Sequence, residues 1–252
     1  MEQRQLGRRG PWVSVLGFGA VKIGRNEGVK YSARYDLPDE RQVAQLIEGV
    51  IGQGINYFDT APAYGNSEVR LGKVLAGRDR SLVISTKVGE TFEHGRSSFD
   101  FSRLAIEQSI ARSLARLQTD ALDLVFIHSN GDDLAILSDT EVVPTLERLR
   151  DQGRVGLIGI SGKTVAGARA ALDWADCLMV EYHLDDQSHA DVIAEAHERG
   201  IGIVVKKPLA SGRLPAAEAL RFVLSNPGVS SVIVGTLSLD HLVANVRAIQ
   251  RE

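Results

Sequence analysis

The chain has 252 residues, 44% of them hydrophobic and 24% charged, which is ordinary for a globular protein large enough to bury a core. A net charge of −3 offers no positive field for nucleic acid or an anionic membrane, and no apolar run approaches the ~20 residues of a membrane span. One cysteine, Cys177, at the start of an apolar run, reads as a buried inert thiol and excludes an intrachain disulfide and a cysteine zinc site, so no metal is expected.

The first residues, Met1-Glu-Gln-Arg-Gln-Leu-Gly7, lack the apolar core of a secretion signal, which points to the cytoplasm. Segments 3–6 and 12–14 flank Gly7-Arg-Arg-Gly10 as a hairpin that would cap the bottom of the fold. Beyond it, short β-branched runs alternate with helical stretches. Strands are predicted over 15–18, 56–60, 82–87, 122–128, 156–161, 177–182, 202–206 and 231–235, nearly continuous in apolar character, as parallel strands buried on both faces are. Val43, Leu46, Ile47 and Val50 share one helical face, as do Ile106, Ile110, Leu114 and Leu117. Further helices are predicted over 67–76, 145–151, 165–174, 190–199, 216–225 and 239–249, several closed by glycines such as Gly77, Gly153 and Gly200.

Eight strand–helix units in one domain over 1–252 predict a (β/α)8 TIM barrel. An open doubly wound sheet would want a Gly-rich phosphate fingerprint after its first strand, and Gly17-Phe-Gly19 lacks the third glycine. Three long connections, 21–38, 89–101 and 129–140, all follow strands and therefore fall on the C-terminal face, where pockets form.

Four titratable residues mark that face: Asp59 and Tyr64, Lys87, and His128, at or just beyond the ends of three consecutive strands. A phenol is a poor proton donor or acceptor at neutral pH unless a neighbouring ammonium lowers its pKa. Lys87 can do this for Tyr64, Asp59 can hold Lys87 charged, and His128 can position a substrate oxygen. Singly, each has an ordinary structural explanation as a loop, solvated or capping residue; together they form a site for polarising and protonating a carbonyl oxygen, to which a nicotinamide cofactor would bring hydride.

The segments Gly54-Ile-Asn-Tyr-Phe-Asp-Thr-Ala-Pro-Ala-Tyr-Gly65, Ser85-Thr-Lys87, Leu122-Asp-Leu-Val-Phe-Ile-His128, Gly159-Ile-Ser161 and Val232-Ile-Val-Gly235 resemble those of the aldo-keto reductases, over nearly the whole chain. The resemblance implies a barrel that binds NADPH without a Rossmann domain and reduces an aldehyde or ketone. Tyr64 would be the acid, Lys87 would lower its pKa, Asp59 would pair with Lys87, and His128 would orient the carbonyl. It implies a cofactor groove drawn from Gly19, Ala20, Asp59, Ser161, Gly162 and Met179, then Lys206, Pro208, Leu209, Ser211 and Arg213, and finally Gly235, Thr236, His241 and Asn245. Here Gly162 stands where the family has Asn, Met179 where it has Gln, and Lys206 where it has a stacking Tyr. Gly235-Thr-Leu-Ser238 lacks the cation that often meets the 2′-phosphate, which leaves NADH open beside NADPH.

Phe92, His94, Phe99 and Phe101 in one long connection, and Lys30, Tyr31, Arg34 and Tyr35 in another, are candidate walls for a small carbonyl substrate. Neither a self-complementary apolar stripe nor a heptad is evident, so a monomer is expected. Two other readings stand beside the reductase: a nucleotide-binding sensor with little turnover, suggested by the altered carboxamide site, and a Schiff-base lyase using Lys87 or Lys206.

Overall fold

The computed structural model describes residues 1–29, 35–78 and 81–250. In chain order the strands are β1 (Gln3–Gln5), β2 (Trp12–Ser14), β3 (Leu16–Gly19), β4 (Tyr57–Asp59), β5 (Val83–Val88), β6 (Glu90–Glu93), β7 (Arg96–Phe99), β8 (Leu122–His128), β9 (Val155–Ser161), β10 (Cys177–Glu181), β11 (Gly202–Lys206) and β12 (Ser231–Val234). The α-helices are α1 (Glu40–Gly52), α2 (Ser67–Leu75), α3 (Arg103–Leu117), α4 (Asp133–Asp139), α5 (Val142–Asp151), α6 (Val165–Ala170), α7 (Ala190–Arg199), α8 (Ala216–Ser225) and α9 (Leu239–Gln250). Eight parallel strands close into a barrel in the order β3-β4-β5-β8-β9-β10-β11-β12, with β12 pairing back onto β3. This is the predicted TIM barrel.

Helix ends follow their sequences. Asp39 starts α1 with a capping box, its carboxylate taking the Gln42 amide while the Gln42 side chain takes the Asp39 amide. Ser102 and Thr164 cap α3 and α6 in the simpler one-bond form. Apolar stripes such as Val43, Leu46, Ile47 and Val50 pack on the outward faces of the strands, forming the larger core between barrel and helices.

A second core fills the barrel. Tyr57, Val83, Leu124, Phe126, Leu157, Cys177, Met179 and Val204 meet inside it, together with Leu6 and Val13 from the N-terminal hairpin. β1 and β2 pair antiparallel and plug the bottom, as expected, with Leu6 completely buried. Replacing Leu6 by Ala would remove this stopper at a cost of about 2–5 kcal/mol.

Two predicted connections contain regular structure. The 129–140 segment carries α4, and the 89–101 segment folds into the β6–β7 hairpin. The sequence masks both. The hairpin strands Glu90–Glu93 and Arg96–Phe99 bury little and show no apolar alternation, so cross-strand pairing alone defines them. No described helix is long and apolar enough to cross a membrane.

Candidate active site

Strand alternation builds the site. Residues two apart face the same side, so the inward series Tyr57–Asp59, Val83–Ser85–Lys87, Leu124–Phe126–His128, Leu157–Gly159–Ser161, Cys177–Met179–Glu181 and Val204–Lys206 each begin apolar or small and end polar. The barrel is therefore greasy at its base and ringed with ionisable groups at its C-terminal mouth.

At that mouth the Lys87 ammonium lies 2.7 and 2.8 Å from the two Asp59 oxygens and donates to the Thr60 carbonyl at 2.8 Å. Ser85 donates to Asp59 at 2.7 Å and Tyr57 to Ser85 at 2.9 Å, so Asp59 is held from below as well. Lys87 is only 1% exposed. Burial works to lower its pKa, but Asp59 and then Tyr64 overcome this and hold the amine above its ordinary value.

Tyr64 stands in the turn after β4, with the Lys87 nitrogen 4.8 Å from its ring centre. Two glycines fix that turn. Gly65 has φ +59°, and a Cβ there would lie 2.2 Å from the Gly24 carbonyl oxygen, so the loops after β3 and β4 touch backbone to backbone. Lys87 does pull the Tyr64 pKa down, as expected from the sequence. Burial is the larger influence, however, and with the Asp59 charge it leaves the phenol above its ordinary value. Tyr64 is thus protonated at neutral pH.

His128 ends β8 and meets Tyr64 edge-on, ring centres 6.0 Å apart at 87°. Its Nδ1 lies 2.7 Å from Glu90 Oε2, at the start of β6. Burial lowers the imidazole pKa, opposed by Glu90 and reinforced by Lys87 and Lys206. Burial tends to raise the Glu90 pKa, but His128, Ser97 and Arg25 overcome it and hold the carboxyl down at about 2. Glu90 has no counterpart in the sequence reading; its place three residues after Lys87, directly past Gly89, is the only signal.

These groups open into a cavity of about 850 Å³. Of the predicted residues, Asp59, Tyr64 and His128 line it, with Lys87 buried against Asp59. Gly19, Ser161, Gly162 and Met179 line it from β3, β9 and β10. Lys206, Pro208, Leu209 and Ser211 do so from the end of β11, and Gly235 from beyond β12.

Five predicted groove residues lie off the lining. Ala20 is buried, its carbonyl accepting from Ser67 at 2.9 Å, and Arg213 is exposed. The Thr236 hydroxyl accepts the Ser238 amide within its own loop, the His241 amide is held by the Ser238 hydroxyl, and Asn245 is buried on α9. Phe99 lines the cavity, Phe101 packs into the core, His94 sits at the tip of the β6–β7 hairpin, and the Phe92 ring lies 3.3 Å under the Arg25 guanidinium. Tyr35 donates to the Arg25 carbonyl, whereas Lys30, Tyr31 and Arg34 fall outside the described residues.

Gly162, where the sequence reading expected Asn, has a local cause. Asp133 accepts from the amides of Lys163 and Thr164 at 2.8 and 2.7 Å, and a Cβ on Gly162 would come within 3.0 Å of its Oδ2. A side chain at 162 would press on that carboxylate. The Lys206 amine instead reaches in, donating to Ser161 Oγ at 3.0 Å and the Gly162 carbonyl at 2.5 Å. Burial, then Lys207, lower its pKa to about 7. Glu181, His183 and Asp186 bring ligand atoms within 4.8 Å of one another, but Lys207 already pairs with Glu181. A smaller cavity of 220 Å³ beside Met1 and Arg221 lies away from these strand ends.

The model of the aldo/keto reductase family matches residues 15–219. The chain belongs to this family. Among curated members it is 30% identical to the L-galactose dehydrogenase of Arabidopsis thaliana, covering 99% of this chain and 88% of the relative. It is 31% identical to a D-threo-aldose 1-dehydrogenase of Pseudomonas, covering 83% and 70%. Among solved structures, a Pseudomonas aeruginosa protein assigned to the aldo-keto reductases superposes with TM-score 0.90 at 45% identity, covering 98% and 93%. The holo form of a Bacillus halodurans aldo-keto reductase gives 0.85 at 29% identity, covering 100% and 92%. The protein is an oxidoreductase of this family.

Proposed function

We propose that the protein interconverts an aldehyde or ketone and the corresponding alcohol, with NADPH as the preferred hydride donor and NADH as the alternative. The observation that carries this reading is the buried Asp59–Lys87 pair set against Tyr64, with His128 edge-on to it, at the mouth of a large cavity. Tyr64, kept protonated by burial, donates to the carbonyl oxygen and delivers the proton; Lys87, kept charged by Asp59, stabilises the phenolate that remains; His128 contacts the same oxygen.

The groove suits a dinucleotide. It is edged by Gly19 and Gly235 and carries Lys163, Lys206 and Lys207 on its wall. After β11 the backbone is left-handed at Lys207, Ala210 and Ser211, strain of the kind found where a loop is shaped for a ligand, and this is where barrels often seat phosphate. When bound, the nicotinamide would supply the hydride. Ser161, Lys206 and the Gly162 backbone would hold its carboxamide end.

Aldoses are the first substrates to test, because L-galactose dehydrogenase and D-threo-aldose 1-dehydrogenase are among the relatives and Arg25, Ser97 and Glu90 offer polar contacts for hydroxyl groups. We read the chain as one domain acting as a cytoplasmic monomer, which sizing of the pure protein tests in part.

The deciding experiment is a fluorescence-quenching titration with NADPH and NADH, followed by turnover on a carbonyl panel with wild type and Tyr64→Phe. Binding without turnover of any carbonyl or alcohol would favour the sensor; a Tyr64→Phe variant as active as wild type would remove the mechanism. The Lys206 amine, with its pKa near 7 inside the cavity, also supports a second reading, imine formation with an aldehyde, which borohydride trapping on Lys206 would reveal.

A further inference from the structure

The amine at the end of β11 is placed where a charge can tell one redox form of a nicotinamide from the other. Lys206 lines the cavity, and its Nζ donates to Ser161 Oγ at 3.0 Å and to the Gly162 carbonyl at 2.5 Å. Both acceptors are neutral. Among the described residues Lys206 joins no salt bridge, whereas Lys207 is held by Glu181 and Lys163 donates to the Asn130 carbonyl. A charged amine has three N–H donors; two are spent here, and the third is left for the cavity. Its field reaches the proton-transfer groups as well, since it works against a positive His128 and Lys87 works against it.

We propose that Lys206 is a specificity-determining residue for the redox state of the bound dinucleotide: its ammonium favours the uncharged reduced ring over the positive oxidised ring, and the preference fades when the amine loses its proton. The inference rests on the nicotinamide reading above and adds to it the residue that distinguishes substrate from product at the cofactor end.

Charge carries the argument. The two forms share their adenosine, ribose, phosphate and carboxamide groups, so hydrogen bonds from Ser161, Lys206 and the Gly162 backbone cancel between them. They differ by one hydride, and therefore by one positive charge on the ring. A residue shifts a preference only through what it does differently to the two states. Like charges within about 6 Å in a sheltered site oppose each other by roughly one to two pKa units, and each unit is tenfold in relative affinity. In the direction of carbonyl reduction, Lys206 weakens the hold on the spent dinucleotide. The same repulsion makes hydride loss on the protein less downhill, so the gain lies in product release.

The surroundings let the amine exist in both forms near neutrality. Burial and then Lys207 bring its pKa to about 7; Glu181 on β10 opposes them, Lys87 on β5 adds to them, and Asp133 on α4 opposes them. His128 on β8 and His189, just ahead of α7, feel the same amine and are held below their ordinary values, chiefly by burial.

The test reads binding rather than turnover. Calorimetric titration of the intact protein with NADPH and with NADP+ from pH 6 to 9 gives the ratio of the two dissociation constants, in which titration of the ribose phosphate cancels. The oxidised form is expected to be the weaker binder at pH 6, and its disadvantage to shrink about 10- to 100-fold by pH 9. Near pH 7, titrations in buffers of different ionisation heat are expected to show more protons released with NADP+ than with NADPH. Lys206→Met, similar in length and uncharged, is expected to hold the ratio flat at the high-pH level. Lys206→Arg, which keeps its charge throughout, is expected to hold it flat at the low-pH level. A wild-type ratio indifferent to pH overturns the proposal and leaves the nicotinamide reading standing. A slope that survives in either variant also overturns it, because the titrating group is then His128 or His189. Failure of wild type to bind either form at any pH sinks the nicotinamide reading itself, and this inference with it.

Discussion

Replacing Asp59 by Asn leaves the shape of the site nearly intact and, among the described residues, removes the only carboxylate that touches Lys87. The two side chains are 1% and 5% exposed, and the closer N–O distance is 2.7 Å. At an effective dielectric near 20, charges that close attract by about 6 kcal/mol before desolvation is counted, and breaking a buried pair by removing one partner typically costs about 3–5 kcal/mol. Neutralising Lys87 sets a ceiling of similar size, since carrying an amine from its ordinary pKa near 10.4 to neutral form at pH 7 takes about 4.6 kcal/mol. The expected loss is therefore about 3–5 kcal/mol, or about 6–20 °C in melting temperature for a chain of this length.

The loss has a pH signature. In wild type the Lys87 pKa is raised, so its contribution is complete below the unfolded value and disappears only as pH climbs through the folded one. In the variant, burial without the carboxylate depresses that pKa, and stability should grow as pH rises from 7 towards 10. Urea unfolding at pH 7 and 9.5 measures both effects, with the gap between the two proteins expected to narrow at the higher pH. A difference below about 1 kcal/mol at pH 7, or one that does not change with pH, would refute the argument that this pair supports the fold.

Tyr64→Phe should bind NADPH like wild type and lose about 10²–10⁴-fold in kcat, read by titration and steady-state kinetics on the same preparations. Lys206, with its pKa near 7, should be the lysine that an amine-reactive sulfonate reagent labels first at pH 8, with cofactor protecting it; peptide mapping that finds labelling elsewhere first would contradict the geometry. Gly162→Asn, which restores the residue common in the family, should weaken nucleotide binding and cost about 1–3 kcal/mol, because its Cβ would crowd the Asp133 carboxylate; calorimetric binding and thermal melts check both halves.

The barrel and its polar mouth were legible because they rest on strong, local signals. Eight apolar runs with glycine-closed helices between them allow few other folds, and inward alternation then places Asp59, Lys87, His128 and Lys206 without further assumption. What stayed hidden depends on chain segments distant in sequence. Glu90 looks like any solvated loop acid until the hairpin turns it towards the end of β8, two strands and a helix later. The balance of forces on Tyr64 was equally out of reach: the sequence names the ammonium, whereas how deeply the phenol is buried follows from Gly24 and Gly65 bringing two loops together. Arg213, Thr236, His241 and Asn245 were named from family positions, and they lie behind or beside the cavity wall.

The stopper formed by Leu6 and Val13 has a kinetic consequence. With the tube packed solid from its floor up to the ionisable ring, the described residues leave no back door, so under the proposed function nucleotide and carbonyl substrate would enter and depart through one portal. Whichever occupant lies deeper in that portal has to arrive first and go last. An ordered addition would thus trace back to a hairpin of two three-residue strands at the opposite pole of the molecule, far from the ionisable ring.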